Sequence, residues 1–256
     1  MPDSRLRRVA VGALAVLYAA PFGLLVVRAA ADVWRYPAIV PQQLGTRGLG
    51  QVLSTSASAW PALGNSLLVA LVTTALALAV GWPASRVLAR GTPRVRAWLL
   101  VLIALPLLVP PLAVGHGLST WLLRWGFADS LVGLVAAHLV YVLPYVALLL
   151  AAGFTSRVIR LEEAAATLGA GRASRLRHVT LPAVAPMLAF ALLMGFLVSW
   201  SQYGTSLAVA GATPMLALLL VPFVQHDPQV ASTLTLLFIA PPLLALAVAA
   251  RWGQHR

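Results

Sequence analysis

Six times along this chain an apolar run recurs that is close to the ~20 residues a helix needs to cross ~30 Å of hydrocarbon. The runs are Val9–Val27, Asn65–Val87, Trp98–Leu118, Leu131–Ala152, Leu181–Val198 and Ala231–Ala250. The segments between them hold nearly all the arginines. Of the 256 residues, 61% are hydrophobic and 9% charged, whereas a soluble domain is roughly 25% charged. A water-soluble fold of this length could not bury that much apolar side chain and still present a polar surface. Lipid must act as part of the solvent, so the backbone must satisfy itself internally. Long continuous runs and many prolines, without strand-like alternation, select helices over a barrel. The expected fold is therefore all-α and polytopic, a single transmembrane domain over residues 1–256.

The net charge of +12 comes with no lysine at all. In a soluble protein it would suggest nucleic acid, but no base-reading motif or aromatic-basic patch accompanies it. Charge concentrated between apolar runs points to a membrane surface. Arg5 to Arg8, Arg86 to Arg96, Arg157 to Arg177, and Arg251 with Arg256 fall on one side of a six-span path. Arg28, Arg35, Arg47 and Arg124 fall on the other. The larger set belongs in the cytoplasm, which places both termini inside. The first run could also be a signal peptide, but it is long for one, Arg28 crowds the cleavage position, and further spans follow. It is expected to remain as the first span.

Several segments depart from the span pattern. Residues 31–62, rich in Pro and Gly, read as a loop with a short interfacial helix near Leu49–Trp60. Pro106, Pro110 and Pro111 interrupt the third run. Leu207–Val224, which carries Gly211 and Pro214, reads as irregular or re-entrant. Without cysteine, disulfides and thiolate chemistry are excluded.

The segment Arg157–Pro182 differs from everything else. Leu161–Leu168 is helix-prone, with Glu162 and Glu163 near its start, and Gly169 is a suitable stop. Arg172–His178 reads as a second short basic helix, and Pro182 suits the first turn of the next span. A helix-turn-helix on the cytoplasmic face results, with small residues, Ala164 and Ala165 among them, that allow close approach. An ordinary amphipathic loop would look similar. The spacing adds more: Glu163-Ala164-Ala165, then Gly169, Val179 and Leu181-Pro182.

That register resembles the EAA signature of the membrane subunits of binding-protein-dependent (type I) ABC importers, with Val179 where the pattern has Ile. Asn65-Ser66-Leu67, Pro83-Ala84, Pro106–Gly117 and His138–Pro144 extend the resemblance over roughly residues 60–250. Its nearest branch looks like the polyamine, thiamine, ferric-iron and phosphonate importers. The resemblance implies a type I importer permease fold in the bacterial inner membrane. It also implies that residues 157–182 couple the chain to a separate ATPase through Glu163, Ala164, Ala165, Gly169, Leu181 and Pro182. The implied partners are an ATPase dimer, a second identical or homologous permease and an extracytoplasmic solute-binding protein. The substrate would be a small solute, polyamine-like or another small organic or metal cation. No Gly-x4-Gly-Lys-Ser/Thr loop is present, so ATP and Mg would sit on the partner, with no cofactor on this chain.

Ser199, Gln202, Tyr203 and Thr205 form the densest polar cluster near a span, and Tyr141 lies in the fourth run. Intramembrane polar groups often mark a pathway, while helix-helix hydrogen bonding accounts for them equally well. His116 and His138 read as packing residues. A self-contained channel or secondary transporter is one alternative reading. An intramembrane protease using His116 and Ser119 is another. Neither explains the Glu163–Pro182 register.

Overall fold

The computed structural model describes residues 4–54 and 56–254. Helix α1 (Ser4–Ala29) leads to a two-stranded antiparallel ribbon, β1 (Ala31–Val33) with β2 (Gln43–Leu44). Then come α2 (Arg47–Ser54), α3 (Ser56–Arg90), α4 (Pro93–Ala104), a 3₁₀ turn at Leu105–Leu108 and α5 (Pro111–Arg124). After α6 (Leu131–Gly153) follow α7 (Ser156–Thr167), α8 (Arg172–Arg175), a π-turn at Leu176–Thr180 and α9 (Leu181–Trp200). The chain closes with α10 (Tyr203–Val209), α11 (Leu216–Leu220), α12 (Phe223–His226) and α13 (Pro228–Gln254). Apart from the ribbon, which the sequence did not signal, the protein is all-α. Five helical stretches are long and apolar enough to span a membrane, and α4 with α5 makes a sixth if the bent pair is one crossing. The chain divides into two compact units, residues 1–61 with 219–241 and residues 62–218 with 242–256.

Four local expectations change. The second span opens at Ser56, so Asn65 lies within α3 rather than at its start, and the interfacial helix is confined to Arg47–Ser54. The third run reaches from Pro93 to Arg124 and bends by 100° at Val109–Pro110. Three prolines without N–H groups prevent an unbroken hydrogen-bond ladder there. The basic helix after Gly171 is not separate. It runs on through the π-turn into α9 as one stretch, Arg172–Trp200. Pro182 cannot donate to the preceding turn, and the Leu181 N–H bonds instead to the Leu176 carbonyl, five residues back. Leu207–Val224 forms only short helices, as its Gly and Pro suggested.

In the second unit, α6 packs along α9 around Ala77, Val142, Val146, Leu150 and Ala191. Gly195 lets the backbones close up. A Cβ there would lie 2.9 Å from Thr74 Cγ2 and 3.0 Å from Val146 Cγ2. Lipid tails are as apolar as leucine, so such close packing of small residues drives the association.

The bent pair crosses rather than returns. Helix α3 acts as a ruler, with Asn65 and Arg90 separated by ~37 Å at ~1.5 Å per residue. At one end Arg90 leads directly into Pro93. At the other, Asn65 Nδ2 donates to the Pro214 carbonyl at 3.0 Å. The neighbouring Thr213 hydroxyl donates to the Asp129 carbonyl at 2.9 Å, just beyond the end of α5. The pair therefore begins at one end of α3 and ends at the other. With it, the candidate spans among the described residues number six.

In the first unit, Arg47 makes a two-pronged pair with Asp227 at 2.6 and 2.9 Å. Asp227 also caps α13, accepting the Val230 N–H. The Arg47 hydrogen bond holds the Asp227 carboxyl below its ordinary range, and partial burial opposes this only in part.

Two expectations can be measured. The chain has no cysteine, so single cysteines report sidedness directly. Cysteine at Phe127 or Ala212 should react with an impermeant maleimide added to intact cells, and cysteine at Ala173 only after permeabilisation. Labelling of all three from one side would remove the crossing. Asp227 has a depressed folded pKa, so its stabilisation is present above the unfolded value near ~3.9 and disappears as pH falls through the folded value. With Arg47 half exposed, it is worth ~0.2–1 kcal/mol. The melting difference between wild type and Asp227→Asn should hold at neutral pH and close in that acid window.

Candidate coupling site and intramembrane polar cluster

Helix α7 starts on Thr155, whose side chain accepts the Val158 N–H. It therefore starts earlier than Leu161, and the two glutamates sit mid-helix, away from the favourable end of the dipole. Its end is as the sequence implied. Gly169 has φ +82°, the left-handed conformation that glycine adopts without a Cβ penalty. The Gly169 N–H bonds to the Ala166 carbonyl and the Ala170 N–H to the Ala165 carbonyl, both at 3.0 Å. This is the paired C-terminal closure of a Schellman turn. Gly171 then starts α8 in an extended conformation. The reversal between α7 and the α9 stretch is thus built from backbone hydrogen bonds.

The two glutamates face different surroundings. Glu162 is 4% exposed. Arg86 Nη2 reaches its Oε2 at 2.8 Å, and Arg90 binds the same oxygen. The Thr180 hydroxyl donates to Oε1. A carboxylate this deep needs such partners, because desolvation alone disfavours the charge by several kcal/mol. The junction ties the end of α3, the middle of α7 and the π-turn together. Glu162 was placed on this helix from sequence but was not among the coupling residues implied by the resemblance. Two sequence features accompany it without choosing between the glutamates: Val158 and Glu162 share one helix face at i, i+4, and Arg86 and Arg90 make an i, i+4 basic pair.

Glu163 points the other way and is exposed, as are Ala164 and Gly169, with Ala165 half-buried. Leu168 is 87% exposed at the tip of the turn. Leu181 and Pro182 lie partly exposed just beyond the π-turn. The predicted coupling residues therefore share one end of the unit, although Leu181 and Pro182 belong to the α9 stretch and not to α7.

The polar cluster is assembled from α6, α9 and α10. His138 bridges Ser199 Oγ at 3.0 Å through Nδ1 and Ser206 Oγ at 2.9 Å through Nε2. Ser206 donates its proton to the Gln202 carbonyl at 2.6 Å, so it accepts from His138 Nε2–H. With the second ring nitrogen accepting from Ser199 at Nδ1, both nitrogens of His138 are engaged. Thr205 donates to Gln202 Oε1 at 2.8 Å. Ser199, Thr205 and Ser206 are all buried to 2% or less. Tyr141 donates to the Val109 carbonyl at 2.7 Å, one of the acceptors released at the proline bend. Of the proposed pathway residues, Tyr203 alone is substantially exposed within this chain, at 39%. Ser119 donates to the His116 carbonyl rather than to its ring.

Comparison with known proteins follows the same outline. The family described as "Binding-protein-dependent transport system inner membrane component" matches residues 74–255. The chain belongs to this family. It is a permease subunit of the ABC importer type and a multi-pass inner-membrane protein. It is 39% identical over 145 residues to an ABC transporter permease protein of Streptomyces antibioticus, a match covering 54% of this chain and 61% of that relative. It is 31% identical over 217 residues to the molybdenum transport system permease protein of Mycobacterium tuberculosis, covering 78% and 82%. Among solved structures it superposes on a chain of a bacterial ABC transporter involved in import of the acidic polysaccharide alginate. The TM-score is 0.71 at 17% identity, over 96% of this chain and 95% of that one, which establishes a shared fold.

Removing the Glu162 carboxylate leaves two guanidinium groups and a buried hydroxyl without their acceptor. Glu162→Ala should destabilise the permease by ~1–3 kcal/mol, read as a lower melting temperature in detergent. Glu163→Ala should stay within ~0.5 kcal/mol of wild type. Equal effects would mean that Glu162 is not the structural member of the pair.

Proposed function

We propose that the chain forms the translocation pathway of an ATP-driven importer and takes up work from a separate ATPase through the exposed face of α7 and the Gly169 turn. The observation that carries this is Leu168, a large apolar side chain 87% exposed beside a turn held rigid by its own backbone. Flanked by Glu163 and Ala164, it makes a small, preorganised knob of the kind that anchors an interface. Glu162 transmits force from this knob. Its bonds to Arg86, Arg90 and Thr180 couple α7 to α3 and to the α9 stretch, so a shift of the knob tilts spans. ATP and Mg belong to the ATPase dimer, and ATP binding favours one docked geometry over the other. A second permease copy or homologue and an extracytoplasmic binding protein complete the assembly. The arginine-rich end of the spans faces the cytoplasm.

For the substrate, a small oxyanion fits better than the polyamine or metal cation suggested by the resemblance. All acidic residues of the chain lie outside the apolar spans, so the pathway offers no fixed negative charge to a cation. The Mycobacterium relative is named for molybdenum, which neutral water carries as the tetrahedral oxyanion. Ser199, Gln202 and Thr205, with Tyr203 and Tyr141, supply hydroxyl and amide groups near the outer end of the pathway.

Co-expression with the candidate ATPase tests the coupling role. Leu168→Asp and Ala164→Trp alter side chains that point away from the unit and should leave its melting temperature unchanged. Each should reduce ATPase co-purification and transport-linked hydrolysis at least tenfold. Undiminished co-purification in both variants would end the coupling assignment.

A further inference from the structure

A pocket of about 370 Å³ opens beside the Glu162 junction, on the side of α7 opposite Glu163. Its charged lining consists of Arg86, Arg90, Arg172 and Arg175 against the single carboxylate of Glu162. Arg86 and Arg90 are already committed to that carboxylate. Arg172 and Arg175 have no carboxylate within ion-pair distance among the described residues. The pocket thus carries three uncompensated positive charges, and its guanidinium groups come from separate helices that converge on one space. Guanidinium forks match tetrahedral oxyanions in geometry as well as charge.

Location specifies the ligand further. Arg86 and Arg90 close the span α3, and Arg172 and Arg175 open the stretch that runs into the span α9. The pocket therefore lies where two spans leave the hydrocarbon. Trp82 lines it too, an aromatic type enriched at the level of lipid headgroups. Basic pockets between spans on the cytoplasmic side recognise anionic headgroups.

We propose that this pocket binds a phosphate oxyanion at the inner membrane surface, with the phosphodiester of an anionic phospholipid as its source. Arg172 and Arg175 take the phosphate oxygens, and Arg86 and Arg90 complete the field while remaining bonded to Glu162. Occupancy would neutralise charge next to the α7 junction and hold α3 against the α9 stretch. The purified chain is tested without any ATPase, so the outcome does not depend on the coupling assignment.

The full chain, purified and delipidated in neutral detergent, would be titrated with phosphatidylglycerol, with phosphatidylcholine of the same acyl chains, and separately with inorganic phosphate. Binding is read by native mass spectrometry and by the shift in melting temperature. The expected result is at least tenfold preference for phosphatidylglycerol, reduced to the phosphatidylcholine level by Arg172→Ala/Arg175→Ala. The double variant Arg94→Ala/Arg96→Ala, with the same charge loss outside the pocket, should keep the preference. Stabilisation by inorganic phosphate that vanishes in the Arg172/Arg175 variant, without preference between the lipids, would keep the oxyanion site and assign it a free-ion source. No response to either probe would overturn the site. So would a preference lost equally in both double variants, since that is general surface attraction.

Discussion

One buried carboxylate holds the working end of this permease together. Glu162 is 4% exposed, a depth at which a carboxylate needs partners, and its partners are drawn from α3 and from the π-turn at the start of the α9 stretch. Each bond links elements distant in sequence, 76 residues in the case of Arg86. The orientation of α7 follows from meeting all of them at once. Because Glu162 faces inward, Glu163 and Leu168 face outward, and the Schellman turn at Gly169 sets where the knob ends. A force applied to the knob therefore reaches two spans through charged hydrogen bonds, which resist displacement more than apolar contacts of the same area.

At the other end of the spans the chemistry is neutral. Polar side chains from α6, α9 and α10 bond to one another, and His138 sits between Ser199 and Ser206 with both ring nitrogens engaged. Through His138, the hydroxyls of Ser199 and Ser206 tie α6 to α9 and α10, while Thr205 bonds locally to Gln202. The proline break between α4 and α5 follows the same rule. It releases carbonyls within the membrane, and Tyr141 captures the one at Val109. Irregular backbone at this depth survives only where protein satisfies it, so the break and Tyr141 belong together as one device.

The family match and the shared fold sit beside a division in the chemistry: a charged junction at the Arg86, Arg90 and Glu162 end, and neutral hydrogen bonding around His138. An oxyanion would meet no fixed negative charge along such a route. A cation would lack a buried carboxylate to hold it.

Much was legible in the sequence because it depends on local properties. Apolar run length determined the candidate spans and Gly169 the end of α7, since a left-handed turn favours a residue without Cβ. The Glu163–Pro182 register was legible for the same reason. Part of what escaped is local: helix α7 begins at Ser156 because Thr155 caps it, and α8 merges with α9 because a π-turn absorbs Pro182. The rest depends on partners far along the chain. Sequence alone could not tell which of two adjacent glutamates would be buried, since periodicity places them on different faces without saying which face meets the arginines. Nor could it tell whether a run broken by three prolines crosses or returns. Tertiary structure decided both, because burial of a charge and the path of a broken helix are determined by the groups that close around them.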